Sequence, residues 1–236
     1  MHVSLVGETF IAKLPDVVLD TPFFQLAYLD LREGMATEAE VLMAFAGRNC
    51  YQSWSLPNPD TAGIRDYVRS IVHKGHFSVL EHASASFYID GVSRNFTHEL
   101  IRHRHLSFSE LSQRYVDMHD ANFITPPALR ELPDTSLFEG SVRSASQYHY
   151  DTAMTGLADN QVSGKRAREA ARAYIPGGME TKIVVSGNHR AWRDVLLKRC
   201  SPAADAEMQA VAYELLGILR ELAPSVYDDL PDRELQ

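Results

Sequence analysis

The chain is poor in cysteine, with only Cys50 and Cys200 among its 236 residues. Two thiols exclude a disulfide framework, and both are expected to stay reduced in a reducing compartment. Long apolar runs are missing too: nothing approaches the roughly 18 residues of a membrane helix. The opening "MHVSLVGETFIAKLPDVVLD" has no basic segment leading into a continuous apolar one. The expectation is a cytoplasmic protein with no membrane partner. Positive charge is in deficit, 23 Lys and Arg against 31 Asp and Glu for a net charge of -8, which argues against a broad footprint for nucleic acid. An anionic ligand must therefore be met locally. No GxGxxG or Walker loop is present, so neither familiar nucleotide-binding fold can be argued. "GVSRN" and "VVSGN" do not fit the GxSxG of serine hydrolases.

What is present suffices for a full core, since 45% of residues are hydrophobic and 23% charged, and one domain over residues 1–236 is the expectation. The pattern is mixed. "TAGIRDYVRSIVHKG" carries Ile64, Tyr67, Val68, Ile71 and Val72 at helical spacing and stops at Gly75. "ASASFYID" alternates Ala83, Ala85, Phe87 and Ile89 as a strand does. A short helix over "SRNFTHELIRHR" would bury Phe96, Leu100 and Ile101; residues 147–176 read as helical with a weak place near Asn160–Gly164; "TKIVVSG" is a strand and "NHRAWRDVLLKR" a helix. The last helix is expected to be capped by Ser201, with Met208, Ala212, Leu215, Leu219 and Leu222 as its apolar stripe. "SWSLPNPDTAG", "TPPALRELPDT" and "IPGGME" read as loops.

The chemistry concentrates in "RHRHLSFSELSQRY", which packs Arg102, Arg104 and Arg114 around two histidines and three serines. "HELIRH" resembles a zinc motif, but His98 and His103 are five apart and would point about 140° away from each other on a helix. Metal is not expected. Two further basic clusters are "KRAREAARAYIP", with Arg168 and Arg172 four apart, and "NHRAWRDVLLKRCS", with Arg190, Arg193 and Arg199. On one helix face Arg168 and Arg172 would repel unless an anion or acid lay between them. The turn "SELSQR" offers hydroxyl and N–H donors that, with a guanidinium, make a phosphate cradle. The plainer reading of each cluster is a solvated face paired to Glu99, Glu169 and Asp194. A nucleotide- or RNA-binding module is the alternative use of the same charges. Nothing in these patterns points to a flavin by itself.

The joint pattern resembles the flavin-dependent thymidylate synthases (ThyX). Arg102, His103, Arg104 and Ser112 match the RHRxxxxxxxS signature, and "GHFSVLEHASASFYIDGVSRNFTHELIRHR" and "ARAYIPGGMETKIVVSGNHRAWRDVLLKR" continue the likeness, so that it spans about residues 36–226. The resemblance implies an α+β subunit with a central, mostly antiparallel sheet surrounded by helices. It also implies a homotetramer with active sites shared between subunits, and methylation of dUMP to dTMP. FAD is the implied cofactor, with NADPH and methylenetetrahydrofolate as co-substrates. Carried over by position, Glu99, Leu100, Ile101, Arg102, Glu110, Leu111, Ser112, Gln113, Arg114, Arg172 and Arg199 would hold dUMP. Ser78, Glu81, Arg102, His103, Arg104, Glu110, Asn188, His189 and Arg190 would line FAD, while His76 and Tyr115 would meet flavin or folate. Arg199 is the expected catalytic cation, stabilising negative charge on the uracil without acting as a base. Ser112 has no base placed beside it and is expected to donate a hydrogen bond. Cys200 is expected to be a structural thiol, and Trp54 either covers a ligand or anchors a loop.

Overall fold

The computed structural model describes residues 1–232. Four strands, β1 (His2–Glu8), β2 (Ser84–Ser93), β3 (Ser107–Glu110) and β4 (Glu180–Asn188), form one antiparallel sheet in the order β1-β2-β4-β3. Four helices precede β2: α1 (Asp16–Leu19), α2 (Pro22–Arg32), α3 (Glu38–Tyr51) and α4 (Ile64–His73). Between β2 and β4 come α5 (Arg94–Leu100), α6 (Pro127–Arg130), α7 (Ser136–Asp159) and α8 (Gly164–Ala171). After β4 follow α9 (His189–Arg199), α10 (Ala206–Leu222) and α11 (Pro224–Tyr227). The fold is α+β, as expected.

The alternation in β2 puts Ala85, Phe87 and Ile89 into the core opposite Gly187, Val185 and Ile183 of β4. Trp192 of α9 is wholly buried there, edge-on to Phe87 at 5.1 Å, with its indole N–H donating to the Ala85 carbonyl at 3.0 Å. Gly187 makes this closeness workable: a Cβ there would lie 2.2 Å from Leu106 and 3.4 Å from Trp192. Gly91, at φ 63°, marks the bulge in β2 that turns both Val92 and Ser93 inward. The stripe on α10 (Met208, Ala212, Leu215 and Leu219) joins the same core, with Leu222 packed at its margin. The sheet's opposite face carries Ser86, Tyr88, Val184 and Ser186, all partly or fully exposed. A smaller cluster of Met118, Tyr150, Ala171 and Met179 holds the α7–α8 hairpin to the segment after β3.

Several local expectations are corrected. The cap of α10 is Asp205, whose side chain accepts from the N–H groups of Glu207 and Met208, and not Ser201. Ile101 lies beyond the end of α5 and is 44% exposed, while Thr97 takes the third buried position. α7 begins at Ser136, eleven residues before the expected start, and "TPPALRELPDT" contains the single turn α6. The first half of "SFSELSQR" is a strand, β3, because its backbone pairs with β4 from Ser107 to Glu110. Arg168 and Arg172 do not share a regular helix face, since α8 ends at Ala171 and Arg172 opens a 3-10 turn. Trp54 anchors its loop, packed against Phe45 at 5.3 Å and Phe23 at 5.6 Å.

Candidate active site

The end of β2 sets the position of the RHR segment. Ser93 caps α5 by accepting from the Phe96 N–H at 3.1 Å. Ser93 is itself clamped by Glu207 of α10, which accepts from its backbone N–H at 2.7 Å and its hydroxyl at 2.6 Å. α5 then unwinds through successive tight turns, Arg102 N–H to the Glu99 carbonyl and His103 N–H to that of Leu100, until Leu106 buries itself over Gly187. On the other side β4 runs into α9, capped by Asn188, whose side chain accepts from Ala191 N–H at 2.9 Å.

Between these two passages lies a cleft of about 640 Å³ lined by Glu81, Arg102, His103, Arg104, His105, Leu106, Asn188, Arg190, Ala191, Asp194 and Lys198. Four permanent cations face two carboxylates there, in a chain of net charge -8. Among the described residues Arg102 and Arg104 form no ion pair, whereas Arg190 pairs with Glu81. Guanidinium groups left without acids, beside a helix N-terminus, are the donor set that a diphosphate needs.

Arg199 is not in the lining and meets the cleft through His103. Its Nη1 donates to Glu99 Oε2 at 2.9 Å and its Nε to His103 Nε2 at 3.0 Å. An arginine has only donors and keeps its proton. The accepting Nε2 is therefore the lone-pair nitrogen of a neutral His103, with its proton on Nδ1. Burial, then the neighbouring Arg199, hold the His103 pKa below the ordinary imidazole value.

Of the expected flavin-lining residues, Glu81, Arg102, His103, Arg104, Asn188 and Arg190 meet in the cleft. Ser78 is exposed on the 3-10 turn Phe77–Glu81, outside the lining. Glu110 lies elsewhere, accepting from Thr97 and Thr181 and pairing with Arg94 at 3.3 Å over a separate 230 Å³ depression. The His189 ring turns away into the core, 1% exposed and bonded to the Tyr227 hydroxyl at 2.8 Å, and burial lowers its pKa to about 4. His189 is not among the residues that line the cleft.

The residues expected at dUMP are divided within one chain. Arg102 lines the cleft, Arg199 bonds to the lining residue His103 and to Glu99, Leu100 is buried, and Ile101 faces the second depression. Leu111, Ser112, Gln113 and Arg114 lie against the α7–α8 hairpin: Leu111 packs on the small core, Gln113 is buried beside Met179, and Arg168 donates to the Arg114 carbonyl at 3.0 Å. The Ser112 hydroxyl has no histidine or carboxylate bonded to it among the described residues. Arg172 is exposed and, like Arg114, forms no ion pair among the described residues. Tyr115 is 62% exposed beneath Lys165 and Arg114, and His76 lines a third depression with Arg48 and Lys74. Cys200 is buried and its thiol is pushed up to about 11, which makes it a poor nucleophile. Among the described residues no group of three His, Cys, Asp or Glu side chains could hold a metal ion. None of their helices is long and apolar enough to cross a membrane.

Sequence reasoning missed Lys198, His105 and the Glu207 clamp. Arg190, Asp194 and Lys198 recur every four residues, so one polar face of α9 was legible in the spacing. The Glu207–Ser93 contact spans 114 positions and left no local signal.

Fold and cleft together define an α+β protein with a cleft between the start of α9 and the arginine-rich turn after α5. The chain belongs to the thymidylate synthase complementing protein family (Thy1), whose profile matches residues 34–225. It is 46% identical to the flavin-dependent thymidylate synthase of Mycolicibacterium gilvum and 43% identical to that of Mycobacterium tuberculosis. Each alignment covers 97% of this chain and 89% of the relative. Its fold is similar to the crystal structure of ThyX from Helicobacter pylori with FAD and dUMP, at TM-score 0.66 and 21% identity over 97% of this chain and 98% of that one.

Proposed function

We propose that the protein is a flavin-dependent thymidylate synthase, a single catalytic domain that methylates dUMP to dTMP using methylenetetrahydrofolate, FAD and NADPH. The observation that carries this reading is the cleft: Arg102, Arg104 and Arg190 beside the capped start of α9, in a chain otherwise short of positive charge. The donor set fits FAD. Arg102 and Arg104, free of acidic partners, would take its diphosphate, and Asn188 and Glu81 offer acceptors for sugar hydroxyl and adenine N–H groups. When bound, FAD supplies the redox chemistry, accepting a hydride from NADPH and delivering reducing equivalents to the pyrimidine.

The chain's own residues orient and polarise. Arg199, restrained by Glu99 and His103, presents a fixed positive charge where the uracil becomes electron-rich; such preorganised charge in a water-poor site stabilises a developing anion without reorganising. Ser112 and Arg114 donate to the nucleotide phosphate. The separation of Ser112, Arg114 and Arg172 from the Arg102 cleft supports a site completed by a neighbouring subunit. The exposed sheet face around Val184, 38% exposed, supports an interface between copies in a homotetramer.

The test is direct. Purified protein should show flavin absorbance, bleach on NADPH, and form dTMP from dUMP only with methylenetetrahydrofolate. Turnover that persisted after complete removal of the flavin would overturn the proposal.

A further inference from the structure

Arg199 is held by a relay of side chains from two helices. Glu99 of α5 takes Nη1 at 2.9 Å, and His103 takes Nε at 3.0 Å. On the far side of the His103 ring, Asp194 of α9 places Oδ2 at 3.8 Å from Nδ1, an ion-pair distance longer than a hydrogen bond. The same Oδ2 accepts from Lys198 at 2.7 Å. The ring's side chain is only 8% exposed, so solvent does little to settle which nitrogen carries the proton. In the other tautomer an Nε2–H would confront the Arg199 Nε–H, two donors with nothing between them, and the guanidinium would swing off Glu99.

We propose that Asp194 is a positioning residue for the reaction: it keeps the His103 proton on Nδ1, so that Nε2 stays open to Arg199 and the guanidinium stays aimed. This rests on the reading of Arg199 as the cation beside the pyrimidine. The charged groups facing His103 are Asp194, Lys198 and Arg199, all from α9, with Glu99 of α5 reached through Arg199. Asp194 favours the protonated ring, while Arg199 and Lys198 disfavour it. Activity requires the neutral ring, so the acidic limb of the kcat profile follows the balance of these charges.

The test uses flavin-saturated holoenzyme, with flavin content checked by absorbance. Asp194→Ala should lower kcat about two- to fivefold, in keeping with a half-exposed ion pair. Asp194→Asn keeps an acceptor oxygen and should recover most of that turnover. In both variants the acidic limb should move to lower pH, because the favouring carboxylate is gone. Lys198→Met should move it the opposite way. A merely structural loss would not give opposed displacements from two members of one ion pair. Asp194→Ala with unchanged kcat and pH profile, or limbs moving in the same direction for the Asp194 and Lys198 variants, would overturn the proposal. Arg199→Ala and Arg199→Lys separate the two levels. If Arg199→Ala turns over normally, the reading of Arg199 itself fails. If it is crippled, with Lys partly restoring it, and the Asp194 variants behave as wild type, only the positioning role fails.

Discussion

Glu207→Ala should unmoor the RHR segment from a distance. Glu207 accepts two hydrogen bonds from the 2% exposed Ser93, 2.7 Å from the backbone N–H and 2.6 Å from the hydroxyl, and Ser93 in turn caps α5. Each bond has an ionised acceptor, and the substitution leaves a buried N–H with no partner, so the combined loss is about 3 kcal/mol or somewhat more. For a chain of this size each kcal/mol lowers Tm by about 2–4 °C, which gives a shift of about 6–12 °C. Glu207→Gln keeps a neutral acceptor and should lose about half as much. Urea unfolding of both variants measures the stability, and flavin content after gel filtration measures the cleft. The α5 turn should also loosen, so that FAD retention falls more in Ala than in Gln. A loss below about 0.5 kcal/mol in both proteins would refute the reasoning, since surface substitutions of no structural consequence fall within that range.

The shared-site reading predicts complementation between two inactive variants. Arg199→Ala and Arg172→Ala should each be nearly inactive alone, yet co-expression should restore activity at roughly a quarter of sites, half chance for each contributing chain. Verified mixed oligomers with no more activity than the sum of their parents would place the site within one chain. Cys200→Ser should leave kcat unchanged, because burial pushes the thiol up to about 11 and keeps it protonated. Iodoacetamide should modify exposed Cys50 and spare Cys200 in the native protein; equal labelling of both would contradict this.

Local pattern alone determined a good deal of this protein. The helical spacing over Ile64–His73, the alternation from Ala83 to Ile89, and the stop at Gly75 each express one element's own periodicity, and each stands in the structure. Family likeness in the RHR segment and its flanks was legible because motif, order and spacing are linear properties. The tertiary structure decided whatever depends on partners far along the chain. β3 is a strand because β4 offers it a backbone ladder from Ser107 to Glu110, although the "SE" that opens "SELSQR" reads as part of a turn. Asp205 displaced Ser201 as the cap because its side chain reaches the open N–H groups of Glu207 and Met208. Nothing local in the sequence shows that the first turn of α9 points the His189 ring at Tyr227, 38 residues on, where burial lowers its pKa to about 4. The His103 Nε2 meets the Nε–H of Arg199, 96 residues away, a pairing that only the tertiary contact between the two side chains supplies.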